Sequence, residues 1–510
     1  MTTSDNVLEG SHEDVDASSS AIRRRAKEAS WVDLKKHFWM LVGVTLFCIV
    51  YFAPPFSAAV DPQGTEYELT YEGKTALALF LLAATWWVFE VIPIGVTSIA
   101  IGAIQVLFMI REPAKVPFGD FMDPSVWFII GSITFGMVFS KSGLTKRMAY
   151  RMLVLVGERT SMIYLGSFVI TAGLTLIMAH TAVAATMYPL LMAIYALYEE
   201  DDKPTRFGKG LFIGMAFVAG AGSIITLLGA ARGAVAIGFF KDIVGREVSF
   251  FQLTYYMLPL GCTMVVLLWL LCMIMFRPER KAIAGLRKQA RMLYERLGPI
   301  TRTEILSLVI VLSAVAVMSL KSFVPIFQPL NKSAVILVAT ILFFVFRILN
   351  LKDLEDIPWN IVLLFGGAMS IGLCLWQTGA AEWLAIKWLV LFQGANWFAF
   401  VMGTAFFVLV MTNLIMNVAA IAISLPVALV IASHLGVAPE VVLFCSLATA
   451  GMPFLLLVGA APNAIAYESK QFSSAGFFLA GIPASIVLML VLGLFVWLIW
   501  PLMGMPIVAQ

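Results

Sequence analysis

The chain has 510 residues, of which 61% are hydrophobic and 13% charged. Soluble globular chains carry about 45–50% apolar and about 25% charged residues, so this one lacks the polar material to cover a water-facing surface, as its mean hydropathy of +0.93 also says. Soluble enzymes, secreted disulfide scaffolds, coiled coils and disordered chains are disfavoured, and a polytopic membrane protein remains.

Residues 1–36 are polar and mixed in charge, with Arg23, Arg24, Arg25 and Lys27 late in the stretch. They contain no apolar core of a cleaved signal peptide and read as a cytoplasmic tail with an amphipathic lead-in. Apolar runs follow at 37–54, 74–93, 95–111, 124–142, 161–178, 181–198, 208–242 and 253–276. A basic loop at 277–302 carries Arg277, Arg280, Lys281, Arg287, Lys288, Arg291, Arg296 and Arg302. Beyond it lie runs at 303–322, 333–349, 359–377, 385–415, 417–435, 439–466 and 475–502. Basic short loops stay cytoplasmic, so the N-terminal flank and the 277–302 loop share one side, and an even number of crossings separates them. Eight runs lie between, or six crossings if 161–178 and 181–198 form one re-entrant hairpin; the charge rule allows both.

The net charge of +3 and the lack of a basic domain give no sign of a nucleic-acid partner. Cys48, Cys262, Cys272, Cys374 and Cys445 all sit in apolar runs without CxxC or Cys/His spacing, and read as packing residues. Phosphate-loop, nucleophile-elbow and zincin motifs are missing. The reading is a non-enzyme with no cofactor and no side-chain metal site.

An internal repeat organises the chain. Leu227-Leu228-Gly229-Ala230-Ala231-Arg232-Gly233-Ala234 recurs as Leu457-Val458-Gly459-Ala460-Ala461-Pro462-Asn463-Ala464. Upstream, Thr175-Leu176-Ile177-Met178-Ala179-His180-Thr181, followed by Pro189, matches Thr412-Asn413-Leu414-Ile415-Met416-Asn417-Val418, followed by Pro426. Further upstream, Gly131, Gly136 and Ser142-Gly143 match Gly367, Gly372 and Thr378-Gly379. With the basic loop between them, the two copies can enter the membrane from opposite faces, the inverted-repeat plan of secondary transporters. The first half spans 37–276, with a hairpin at 161–198 and a broken helix at 208–242. The second spans 303–510, with a hairpin at 385–435 and a broken helix at 439–466. Gly and Pro in mid-span free backbone groups that are tolerated only inside protein or beside a wet cavity, so the two breaks mark the expected site.

At these residues the sequence resembles the divalent anion/sodium symporter family, the dicarboxylate and citrate transporters. The second break is a close match to that family's Gly-Thr/Ala-Pro-Pro-Asn loop, and Asp123-Pro124-Ser125-Val126-Trp127 and Ile361-Val362-Leu363-Leu364-Phe365-Gly366-Gly367 also look like it. The resemblance covers residues 37–502. It implies an all-α fold of about eleven crossing helices, two re-entrant hairpins and two broken helices, working as a homodimeric elevator in the inner (plasma) membrane. It places the hairpin tips at Ala179-His180-Thr181 and Met416-Asn417-Val418, and the substrate loops at Gly229-Ala230 and Gly459-Ala460-Ala461-Pro462-Asn463.

The tips depart from the family's Ser-Asn-Thr. Arg232 and Gly233 replace the Pro and Asn of the first loop. In sodium-coupled members the tip side chains and loop carbonyls coordinate sodium, and hard cations want a shell of oxygens. Oxygen ligands are lost here at both tips, and two bases are added. His180 and Arg232 are expected to supply fixed positive charge in place of sodium. A fixed charge would favour obligatory exchange of one small organic anion for another, a C4 dicarboxylate or 2-oxoglutarate. The alternatives are a sodium-coupled dicarboxylate symporter and a permease for a monocarboxylate or sulfonate, the latter suiting the apolar Val418. His180 as a neutral packing group, Arg232 snorkelling or paired with Asp242 or Glu199, and proton coupling through His180 are the other open readings. Asn413, Thr226, Ser223 and Thr412 are weaker candidates for the site, and Glu468 and Lys470 read as a solvated pair.

Overall fold

The computed structural model describes residues 34–60, 65–198, 204–389 and 396–508. The tail expected over 1–36 falls almost wholly outside these residues. Within them the regular structure is helical apart from one two-stranded antiparallel ribbon, β1 (Ala59–Val60) with β2 (Glu66–Tyr67), and two isolated bridges. Nine of the described helices are long and apolar enough to cross a membrane, beginning with α1 (Leu34–Phe52).

The first half continues with α2 (Tyr71–Val88), α3 (Ile94–Leu107), α4 (Lys115–Gly119), α5 (Pro124–Ser142) and α6 (Leu144–Val156). Then come α7 (Thr160–Thr175), α8 (His180–Tyr198), α9 (Arg206–Ser223), α10 (Arg232–Val244) and α11 (Phe250–Met275). The basic loop contains α12 (Leu286–Arg296), whose charged face is exposed while Leu286 and Ala290 are buried. The second half holds α13 (Arg302–Leu320), α14 (Lys332–Val345), α15 (Leu351–Glu355), α16 (Trp359–Gln377) and α17 (Ala380–Leu389). It ends with α18 (Trp397–Leu414), α19 (Asn417–His434), α20 (Pro439–Ala450), α21 (Ala461–Tyr467) and α22 (Ser474–Leu494), the last continuing as helix to Leu502.

Helix starts follow the polar residues that interrupt the apolar runs. Asp123 accepts from the Ser125 N–H ahead of α5, with Pro124 in the first turn. Thr205, Ser249, Asn331, Asn396 and Ser473 cap α9, α11, α14, α18 and α22 in the same way. Thr301 and Glu304 form a reciprocal capping box at α13. These side chains satisfy N–H groups that no turn of helix precedes.

The repeat has a physical counterpart in how the helices pack. α7 lies on α9 as α18 lies on α20. The outer pieces of the broken helices are exchanged: α10 packs on α19 and α20, while α21 packs on α8 and α9. Such reciprocity is what a pseudo-two-fold axis between two copies produces. Around this unit, α16 packs on α3, α2 and α5, and α14 on α5 and α13.

One boundary differs from the expectation. The apolar run 385–415 is not one leg of a hairpin. Residues 380–389 form the separate helix α17, which packs on α19 and β1, and the hairpin leg α18 begins at Trp397. Hydropathy alone does not mark that corner, because both helices are apolar.

Candidate functional site

Two connections give the site its shape. Helices α7 and α8 are joined by 176–179, and α18 and α19 by 415–416, so each tip is the first turn of the returning helix. The breaks at 224–231 and 451–460 separate α9 from α10 and α20 from α21. Four helix N-termini therefore converge: α8, α19, α10 and α21. Their leading N–H groups lack intrahelical acceptors and carry the positive end of each helix dipole.

They surround a cavity of about 680 Å³. Ala179, His180 and Thr181 line it from the first tip, and Met416, Asn417 and Val418 from the second. Ala230 and Ala231 line it from the first break, and Gly459, Ala460 and Ala461 from the second. The facing wall comes from α5 and α16, through Ser132, Gly136, Ile361 and Phe365 among others. Ser132 Oγ donates to Leu228 O at 3.1 Å, tying that wall to the first break.

The remaining expected residues lie behind this surface. Gly229 faces the carbonyls of Ser223 and Thr175, each 2.7 Å from where a Cβ would stand. Gly459 occupies the matching place: a Cβ there would lie 2.9 Å from the carbonyl of Thr412, the repeat partner of Thr175. Both glycines are thus required by close backbone approach. Pro462 opens α21. Asn463 Nδ2 donates to Pro453 O at 2.8 Å and Leu456 O at 3.1 Å. Asn413 Oδ1 accepts from the N–H groups of Leu455 and Leu456. These two amides satisfy the backbone that the second break frees, and neither lines the cavity.

The first break is held differently. The backbone N–H of His180 donates to Gly229 O at 2.9 Å, and its Nδ1 lies 3.2 Å from the same oxygen. A carbonyl can only accept, so this contact assigns the proton to Nδ1. Thr226 Oγ1 donates to Leu176 O. Arg232 differs from its expected place. It begins α10, but its side chain runs back along α9, where Nη2 donates to Ser223 Oγ at 2.7 Å. The residue is 2% exposed and Nη1 has no partner. Among the described residues no carboxylate is paired with it, its contacts being Ser223 Oγ at Nη2 and none at Nη1, and Glu199 lies outside them. The guanidinium sits where the C-terminal ends of α9 and α20 meet, beside Gly451. Carbonyls without intrahelical donors gather there, and positive charge is stabilised at such ends.

Two charged residues absent from the expectations also line the cavity. Lys141, in the last turn of α5, forms an ion pair with Asp353 of α15. The only sequence signal for Lys141 was its place beside the repeat landmark Ser142-Gly143.

Comparison with known proteins identifies the family. The family profile described as the sodium:sulfate symporter transmembrane region matches residues 35–506. The sodium-dependent dicarboxylate transporter SdcS of Staphylococcus saprophyticus is 24% identical over 465 residues, covering 86% of this chain and 88% of that protein. SdcS of Staphylococcus aureus is 26% identical over 450 residues, covering 83% and 86%. A solved structure of the Alcanivorax borkumensis YdaH transporter aligns with 93% of this chain and 99% of its own at 13% identity and a TM-score of 0.47. The chain belongs to the sodium:sulfate symporter family, the divalent anion/sodium symporters, and is a multi-pass membrane transporter, not an enzyme.

Proposed function

We propose that this protein is a secondary active carrier of small organic dianions, C4 dicarboxylates or 2-oxoglutarate, and that it works by sodium-independent exchange. The convergence of four helix N-termini on one cavity supports an anionic substrate. The dicarboxylate class is supported by the staphylococcal relatives, which are dicarboxylate transporters. The observation that carries the exchange reading is Arg232, a buried cation at the first break with Ser223 Oγ as its partner in place of a carboxylate. A cation fixed there offers the site positive charge without a co-transported ion. It also opposes return of the empty carrier through the low-dielectric membrane, so the return step runs with an anion aboard.

The basic α12 packs on α6, which follows α5 directly. With the basic loop cytoplasmic, the chain lies in the inner (plasma) membrane with its N-terminus inside, and the cavity opens inward beside Lys141. Movement of the hairpins and broken helices against α5 and α16, in a homodimer, completes the elevator reading that the family resemblance supports.

A second reading is sodium-coupled symport, which the names of the same relatives favour. Labelled succinate uptake into proteoliposomes, in sodium and in choline, with and without internal succinate, separates the two. Exchange requires internal anion and ignores sodium. Uptake that needs external sodium and no internal anion overturns it. Arg232→Ala and His180→Asn are expected to remove sodium-independent exchange, and unaltered transport in both overturns the fixed-charge role.

A further inference from the structure

Charged groups on the cavity wall are few. Among the described lining residues, the Lys141–Asp353 pair is the charged group, and it is more exposed than His180, whose Nδ1–H is spent on Gly229 O. Arg232 is behind the wall and cannot touch a substrate without rearrangement. The side chain of Lys141 is 40% exposed and that of Asp353 16%.

The two partners of this pair are held unequally. Asp353 is anchored to backbone: it accepts from Asn350 N–H at 2.6 Å, and its own N–H donates to Asn350 Oδ1 in the cap of α15. Lys141 carries its ammonium on a flexible four-carbon stem at the end of α5. When the pair opens, Lys141 is therefore the group that moves. The lysine end of the pair is open to solvent, which screens the attraction, so another carboxylate can take the ammonium from Asp353.

We propose that Lys141 receives one carboxylate of the transported dianion, and that Asp353 holds the ammonium in place until the anion arrives. The proposal rests on the dicarboxylate reading given above and deepens it. The other carboxylate meets the helix N-termini at the two tips. A monocarboxylate can engage only one end. Lys141 is thus a specificity residue for two-headed substrates. Asp353 competes with the substrate and lowers affinity on the open side, which assists release there.

The test uses the full-length protein in proteoliposomes, with succinate as substrate and butyrate as competitor. Lys141→Gln is expected to raise the succinate KM by about tenfold, one pairing interaction's worth, with little change in kcat and in the weak inhibition by butyrate. Lys141→Arg keeps the charge and is expected to stay near wild type. Asp353→Asn removes the internal competitor and is expected to lower the succinate KM. An unchanged KM in Lys141→Gln, or equal losses for succinate and butyrate, overturns the proposal. If Lys141→Gln fails to assemble, Asp353→Asn decides alone: a lowered KM supports the proposal, and an unchanged or raised one overturns it. Wild-type protein that carries no dicarboxylate at all defeats the functional reading itself. Wild-type transport with an unaffected Lys141→Gln defeats only the role of Lys141.

Discussion

Arg232 and Gly451 share one space: a Cβ added at Gly451 would lie 2.5 Å from Nη2 and 3.0 Å from Cζ of the guanidinium. The C-terminal end of α20 thus carries no side chain at the point where the arginine from the other repeat arrives. Gly451→Ala is expected to cost about 1–3 kcal/mol through overpacking. In Arg232→Ala the same substitution should cost less, because the guanidinium contact is gone while the 2.3 Å approach to Ile224 Cγ2 remains. Thermal unfolding of the four proteins in detergent measures the coupling, and additive effects would contradict it.

The second break depends on two amide side chains. Asn463→Ala leaves Pro453 O and Leu456 O without their donor, and Asn413→Ala leaves the N–H groups of Leu455 and Leu456 without their acceptor. Each loss is expected to cost about 1–3 kcal/mol. Because both act on one segment, the double variant should cost less than the two losses together. Melting temperatures and succinate uptake are expected to fall in step.

Helix α22 presses on that break from the side away from the cavity. A Cβ at Gly481 would overlap the carbonyl of Phe454, which is backbone and cannot swing aside. Gly481→Ala is expected to destabilise the protein by more than about 1 kcal/mol and to displace Gly459 and Ala460. The outcome to look for is lost uptake in protein that still reaches the membrane. Wild-type uptake would show that the break tolerates the push.

Acidity should act on Asp353 only at the low end. Partial burial pushes its carboxyl up, but the hydrogen bond from Lys141, the Asn350 N–H and the nearby positive charges outweigh this and hold it below the ordinary value. A depressed carboxyl contributes stability above its unfolded value of about 3.9, and loses it as pH falls through the folded value. Between about pH 5 and 8, wild type and Asp353→Asn are therefore expected to show parallel stability profiles. Their difference should shrink below about pH 4, as read by thermal unfolding across a pH series.

The legible parts of the fold were those with a local cause. Gly229 and Gly459 marked both breaks, since a small residue repeated in register at membrane depth needs a reason, and the reason is a neighbouring carbonyl in each repeat. The tips 179–181 and 416–418 were legible through the same repeat, and all six residues line the cavity. The start of α18 at Trp397 was missed by hydropathy, because α17 and α18 are both apolar; the local signal was the cap residue Asn396, preceded by Gln393-Gly394. Asn413 and Asn463 read as candidate site residues, yet both turn to the freed backbone behind the wall.

Sequence by itself determined the membrane class, the repeat, the family resemblance and the stretches of chain that line the cavity, because each is written in residue type and period. Tertiary structure alone decided which charges line the cavity. Arg232 lies in a site element, but its long side chain reaches away to helix ends contributed by both repeats. Lys141 and Asp353 are 212 positions apart and meet on the cavity wall. The orientation of a side chain at a helix end is set by which distant backbone or charge it finds there, and no local pattern carries that information.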